Sequence, residues 1–273
     1  MKPLTKAAGL AAATIAVAGL AWGNTSIVTT EYTVTSPALP RSFHGLRIAQ
    51  VSDLHNDLFG LDYSRLVRSL RAAKPHMIAI TGDLLDARRT NIPRALNAAK
   101  QMMNVAPCLY VKGNHEARCP DYPLLEAGLR ELGVIVLRNE SRTVHRNGEC
   151  ITILGMDCPY GDEDYPFFLY DLAEEAEGFK LLLSHHPEQF HNYWDAGIHL
   201  SLCGHTHGGQ LRLPKVGGVI APHQGFFPKY DAGLYEQNGC KMIISRGLGN
   251  SLCPLRVNNR PELVVVELKA EHR

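Results

Sequence analysis

Five short apolar runs in this chain stop at residues able to hold a metal ion, and that repetition constrains the fold more than any other feature. Leu46 to Val51 ends at Ser52-Asp53-Leu54-His55, and Met77 to Ile80 ends at Thr81-Gly82-Asp83. Leu109 to Val111 runs into Lys112-Gly113-Asn114-His115-Glu116, and Leu181 to Leu183 into Ser184-His185-His186-Pro187. His199 to Cys203 stops at Gly204-His205-Thr206-His207. Between these runs, Tyr63 to Ala73, Pro93 to Met103 and Tyr122 to Leu132 carry apolar residues at helical spacing, with Pro75, Pro107 and Gly133 as stops. Such alternation predicts a largely parallel sheet with helices on its faces, where ligands gather outside the carboxyl ends of the strands. Ser141 to His145 and Cys150 to Gly155 flank Asn147-Gly148, which predicts an antiparallel hairpin. Asp164 to Gly178 reads as another helix, and the loop-rich stretch from Leu211 contains late strands at Met242 to Ser245 and Leu263 to Leu268.

Asp53 and His55 lie two residues apart, as do His205 and His207, so on a continuing strand each pair shares a face. Taken singly, each motif has an ordinary reading. Asp53 could cap a helix, Asp83 could be a turn residue, Asn114 could occupy a left-handed turn position, and His185 and His186 could be a core histidine beside an exposed one. Five such motifs in strand-to-loop order make a chance arrangement a poor account. Two carboxylates, several imidazoles and one amide suit Mn, Fe, Zn, Co or Ni better than calcium, whose sites are all oxygen. The absence of thiolates from the motifs argues against a structural zinc site. Seven side chains exceed what one ion uses comfortably, so two divalent ions are expected. A pair about 3.5–4 Å apart can hold a hydroxide and clamp a phosphoryl oxygen, and an Asp at a strand end must then bridge them.

Composition narrows the remainder. The 273 residues are 45% hydrophobic and 20% charged, enough for one large core and too apolar for disorder. Lys+Arg number 28 against Asp+Glu 27, so no bulk field draws nucleic acid, and no nucleic-acid partner is expected. The 7 cysteines show no CxxC pairing and read as small buried hydrophobes rather than a disulfide framework. Ala7 to Trp22 carries no charge, comes after Lys2 and Lys6, and precedes any further Lys or Arg until Arg41. We therefore expect a membrane anchor or uncleaved signal over 1–23, with the chain at the cell membrane as a single-pass protein and its catalytic part extracytoplasmic. Residues 24–40 read as a short strand and linker, and 41–273 as the catalytic domain.

The order Asp-x-His, Gly-Asp, Gly-Asn-His-Glu, His and Gly-His-x-His over residues 53 to 207 resembles the calcineurin-like metallophosphoesterase superfamily. The resemblance implies an α/β fold (α+β in some schemes), a four-layer α-β-β-α sandwich of two mixed sheets with a dinuclear site at the strand carboxyl ends. It implies that Asp53, His55 and His207 bind one ion, that Asp83 bridges both, and that Asn114, His185 and His205 bind the second. His185 is preferred to His186 because the family pattern places the ligand first. By the same resemblance His115 contacts the phosphate and protonates the leaving oxygen.

Leu46 to His55, Gly204 to Gln210, and Ser245-Arg246-Gly247-Leu248-Gly249 with Arg256 and Pro261-Glu262 are similar to the YkuE-type branch of small bacterial phosphodiesterases. That branch implies a divalent-metal-dependent phosphoester hydrolase with manganese favoured, in which a metal-bridging hydroxide attacks phosphorus in line. We expect a small-molecule or lipid phosphoester substrate and a monomeric chain. Two alternatives stay open. One is a lipid-linked pyrophosphate hydrolase, such as a UDP-diacylglucosamine pyrophosphohydrolase, suggested by Phe226, Phe227 and Tyr230 near Lys229. The other is a non-catalytic metal-binding scaffold at the membrane, which superfamily members typically reach by losing ligands. Arg246 and Arg256 either pair with a substrate phosphate or brace the loop-rich C-terminal segment.

Overall fold

The computed structural model describes residues 14, 19, 22–158, 165–251 and 255–271. Its first sheet draws on β1 (Val28–Ser36), β2 (Leu46–Val51), β3 (Met77–Thr81), β4 (Cys108–Val111) and β5 (Ile135–Val136). The second begins with β6 (Glu140–Arg146), β7 (Glu149–Gly155), β8 (Phe179–Leu183) and β9 (Leu200–Cys203). Two short hairpins come next, β10 (Arg212–Leu213) with β11 (Gly217–Gly218) and β12 (Ile220–Ala221) with β13 (Gly225–Phe226). Then β14 (Gly233–Gln237) and β15 (Cys240–Ile244) complete the second sheet, and β16 (Glu262–Ala270) returns to the first. The sheet orders are β1-β16-β2-β3-β4-β5 and β14-β15-β9-β8-β7-β6. Within the first, β2 to β5 run parallel and β16 runs antiparallel to β2. In the second, β7, β8, β9 and β15 run parallel, with antiparallel β6 and β14 at the edges.

Alternation along the strands explains the layers. In β2, Leu46 and Ile48 face the second sheet, where they join Leu181, Leu183, Leu200, Leu202 and Ile243 in one core. Ala49 and Val51 point the other way, onto Leu66, Leu70, Ala98, Met102 and Leu125 of the helices Ser64–Ala73, Ile92–Met103 and Tyr122–Glu131. On the outer face of the second sheet, Leu182, Met242 and Ile244 meet Leu169 and Tyr193 of the helices Tyr165–Glu175 and Phe190–Asp195. The result is helix, sheet, sheet, helix, with strands buried on both faces and hence nearly continuous in apolar sequence. At the top of the inner core, Gln50 ties the sheets together. Its Nε2 donates to Thr81 Oγ1 at 3.0 Å and to the Cys203 carbonyl at 2.8 Å, beside the strand ends that carry the candidate site.

The expectation of a single-pass membrane anchor is corrected here. Among the described residues no helix is long and apolar enough to cross a membrane. Most of 1–23 lies outside the described residues. The uncharged stretch is itself short, since a bilayer takes about 20 apolar residues. Residues at its C-terminal end are held on the domain rather than led away from it. The Arg260 guanidinium sits 4.3 Å above the Trp22 ring, and Asn24 accepts from the Arg256 N–H at 2.8 Å.

Candidate metal centre

The ends of β2, β3 and β9 deliver their donors through a local distortion that the alternation rule does not foresee. β2 stops at Val51 and β9 at Cys203, before the residues in question, so Asp53, His55, His205 and His207 do not share faces as strand neighbours. Instead Asp53, His55, Asp83, His205 and His207 take φ values of 52°, 50°, 51°, 74° and 49°, in the left-handed region. Non-glycine residues held there cost about 1–3 kcal/mol each and persist only where the surroundings over-determine them. Asn114, by contrast, begins the short helix Asn114–Ala117 and is not left-handed. Close approach sets the small residues between them. A Cβ on Gly204 would lie 2.6 Å from Asp53 Oδ2.

All seven expected ligand residues converge and are buried, none more than 4% exposed. Asp53, His55 and His207 form one group and Asp83, His185 and His205 another, each able to hold a metal ion by the mutual reach of its donor atoms, all within 4.8 Å. Asp83 Oδ2 joins them, 3.7 Å from His55 Nε2 and 3.2 Å from His185 Nε2. Asp53 Oδ1 lies 3.4 Å from His207 Nε2 and 3.9 Å from both His55 and His185. The inward amide atom of Asn114 is 3.1 Å from His185 Nε2, 3.3 Å from Asp83 Oδ2 and 2.7 Å from His205 Nδ1. His186 Nδ1 lies 2.9 Å from Glu188, and these two with His205 make a further possible donor group beside the other two. The carboxylates are anchored from behind. Asp83 Oδ1 accepts from the His115 N–H at 2.8 Å, and Asp53 Oδ2 accepts from Ser52 Oγ at 2.6 Å.

Electrostatics match a cation site. Burial holds His55 and His205 well below the ordinary imidazole range and lowers His207 to about 3, with the Arg256 guanidinium adding to that effect. Neutral imidazoles with available lone pairs are the form that ligates metal. His185 differs: burial opposes its charge, but Asp83 and Asp53 raise it to about 10. Burial also works against the Asp83 carboxylate, yet His185, His55 and His115 hold it well below its usual range. The His185 Nδ1 donates to the Thr81 carbonyl at 2.7 Å, so Nε2 is the atom that faces Asp83 and Asn114.

These two opposite shifts set the sign of the pH dependence. A histidine raised from about 6.5 to about 10 stabilises the metal-free fold fully below the lower value, and the effect is lost as pH rises through the upper one. The depressed Asp83 contributes above its ordinary 3.8 and loses that contribution as pH falls through its lowered value. Near pH 7.5, His185 therefore carries a proton on the nitrogen a metal would need. Adding a divalent ion to the metal-free chain in weak buffer at that pH should release about one proton at this residue. A pH-indicator titration that shows no release would contradict the assignment.

Beside the donors, a cleft of about 370 Å³ is lined by Asp83, His115, Arg118, His207, Pro222 and Ser251, among others. His115 stands at its edge. Its Nδ1 accepts from the Ala87 N–H at 3.1 Å with Asp86 Oδ1 3.5 Å away, and its Nε2 lies 3.2 Å from Ser251 Oγ. Sequence reasoning does not single out Asp86, Arg118, Ser251 or His223. Asp86 has a signal, a second carboxylate three residues beyond Asp83; the others come from loops and carry none. Arg246 and Arg256 brace the structure. Arg246 pairs with Glu262 at 2.9 Å. Arg256 is 2% exposed and donates to the carbonyls of Arg246 and Gly249 at 2.8 and 2.6 Å, with Nη2 3.2 Å from His207 Nδ1.

The family model for calcineurin-like phosphoesterases matches residues 46–209, which span all five strand-end motifs. The chain belongs to the calcineurin-like phosphoesterase family. Within it, the chain is 34% identical over 256 residues to the uncharacterized metallophosphoesterase YkuE of Bacillus subtilis, covering 89% of this chain and 86% of that one. It is 31% identical over 198 residues to the phosphodiesterase YaeI of Escherichia coli, covering 71% of each. Among solved structures, TT1561 of Thermus thermophilus superposes with a TM-score of 0.53 at 14% identity, over 75% of this chain and 90% of that one, a likeness of fold. A calcineurin-like phosphoesterase is a phosphoric ester hydrolase, and the clustered Asp and His residues here fit the two-metal site of such an enzyme.

Proposed function

We propose that this chain is a phosphodiesterase that holds two divalent ions, manganese foremost, and hydrolyses a small-molecule phosphoester. The observation that carries the reading is Asp83 Oδ2, placed within 3.7 Å of donors from both groups, between the buried imidazoles of His55 and His185. Asp53, His55 and His207 would hold one ion, Asn114, His185 and His205 the other, and Asp83 both. When bound, such ions supply Lewis acidity to a phosphoryl oxygen and generate hydroxide from water at neutral pH.

The side chains do the rest. His115 presents Nε2 at the cleft, 3.2 Å from Ser251 Oγ, and from there its N–H would serve a leaving oxygen. Delivering that proton calls for an imidazolium: burial opposes it and lowers His115, Asp83 and Asp86 favour it, and its Nδ1–H would donate to Asp86 Oδ1 where the neutral ring's Nδ1 accepts from the Ala87 N–H. Arg118 reaches the cleft with its Nε fixed on the Asn114 carbonyl at 3.1 Å, a cation positioned for a phosphate oxygen. A charge-assisted hydrogen bond is worth about 1.5–3 kcal/mol, so Arg118→Ala should raise KM about 10- to 100-fold with a smaller change in kcat. Steady-state kinetics on bis(p-nitrophenyl) phosphate measure that split.

Chelation should abolish hydrolysis of the diester, and Mn²⁺ should restore it. A purified chain that binds two ions and stays inert toward mono- and diesters would favour the scaffold reading instead. A second reading, a lipid-linked pyrophosphate substrate, draws on the β12–β13 hairpin beside the cleft, where Phe226 and Phe227 are 72% and 61% exposed. A panel that includes acylated pyrophosphates separates it from the first.

A further inference from the structure

We infer that His223 is a positioning residue that fixes the ring of His205 and, through it, the cation shared with Asp83, Asn114 and His185. The inference rests on the two-ion reading above. His223 lies in the turn between β12 and β13, 18 residues from His205 and outside every strand-end motif. Its Nδ1 is 3.1 Å from His205 Nε2, and the two ring planes are 18° from parallel with centroids 5.3 Å apart, which suits a hydrogen bond in the ring planes. On the opposite side, His205 Nδ1 is 2.7 Å from the inward amide atom of Asn114. The His205 ring thus spends one nitrogen on the donor cluster and the other on His223.

That geometry dictates the tautomer. A ligating imidazole has a single lone pair, so Nδ1 facing a cation leaves the His205 proton on Nε2. Nε2–H then donates to the lone pair of His223 Nδ1, and His223 carries its own proton on Nε2. Partners of this kind orient a ligating ring and raise its basicity, and losing one typically weakens metal affinity 10- to 100-fold. The turn is built to hold the contact. His223 is left-handed at φ 60°, a conformation that needs support in a non-glycine residue. Gln224 provides it, its Nε2 donating to the Tyr230 carbonyl at 2.8 Å and its Oε1 accepting from the Tyr230 N–H at 2.9 Å. Phe227 N–H closes the hairpin on the Val219 carbonyl at 2.8 Å. Ile220, Ala221 and Pro222 of the same hairpin line the cleft, so one element forms the substrate wall and steadies a metal ligand.

Calorimetric titration of the metal-free full chain with Mn²⁺ tests this. In the parent chain two binding steps are expected. His223→Ala should weaken one step 10- to 100-fold and leave the other unchanged, and His223→Gln, whose amide oxygen can accept from Nε2–H, should recover most of the loss. The melting temperature of the metal-free variants should match the parent, which separates positioning from a structural defect. Unchanged steps in His223→Ala, equal weakening of both, or a glutamine variant no better than alanine would each overturn the inference. A parent chain that binds no Mn²⁺ would instead overturn the two-ion reading itself.

Discussion

Asp83→Ala is expected to leave the protein without a competent metal pair and to bring hydrolysis to the uncatalysed level. Asp83 Oδ2 reaches donors of both groups, at 3.7 Å from His55 Nε2 and 3.2 Å from His185 Nε2. The substitution also removes the partner of a buried imidazolium, since Asp83 is the main group raising His185. Breaking a buried pair by deleting one member costs about 3–5 kcal/mol, so the metal-free variant should also melt earlier. Asp83→Asn keeps the shape and the acceptor for the His115 N–H at 2.8 Å, and should recover stability better than metal. Metal analysis by mass spectrometry beside turnover reads both effects. Two ions retained in Asp83→Ala, with turnover near the parent value, would refute the central claim.

His115→Ala should lower kcat by about 10²–10⁴, the usual contribution of a positioned acid or base, while metal content stays at the parent level. The ring meets that of His55 edge-on, centroids 4.6 Å apart, and although His115 can form a further donor group with His55 and Asp86, its loss removes no atom of the two groups assigned above. Asp86→Asn should produce a smaller fall of the same kind, because Asp86 acts on the His115 ring rather than on substrate. Leaving-group dependence supplies the control. A diester with a good phenolate leaving group should suffer less from His115→Ala than an alkyl ester, which needs the proton more. Full activity in the variant on both would eliminate His115 as the acid.

Much of this architecture is readable from residue order. The helices at 64–73, 92–103 and 122–131 follow their apolar spacing, and Asn147-Gly148 turns with φ of 51° and 79°, as a tight hairpin requires. All five strand-end motifs meet. What residue order does not encode is which of two sheets a short apolar run joins, because β2 and β9 look alike and only the pairing partner differs. β14 is hard to see for a related reason: as an edge strand with alternating exposure it lacks a continuous apolar run. The ligands approach differently from the sequence expectation because a period of two assumes extended backbone, and left-handed residues at Asp53, His55, His205 and His207 break it. Arg118 and His223 reach the cleft through tertiary folding alone.

The place of β16 in the first sheet carries a consequence for synthesis. Residues 262–270 come after every site residue in sequence yet lie between β1 and β2, with Val264 opposite Gln50 and Leu268 opposite Leu46. As the chain leaves the ribosome, the strand bearing Asp53 at its end has an unfilled flank until those residues emerge. Long-range pairings of this kind are closed late and slow folding. A nascent chain halted before Glu262 would therefore present an unsealed edge and a hydrophobic seam to chaperones, and the cation-binding pocket would mature only once residues 262–270 have emerged and paired.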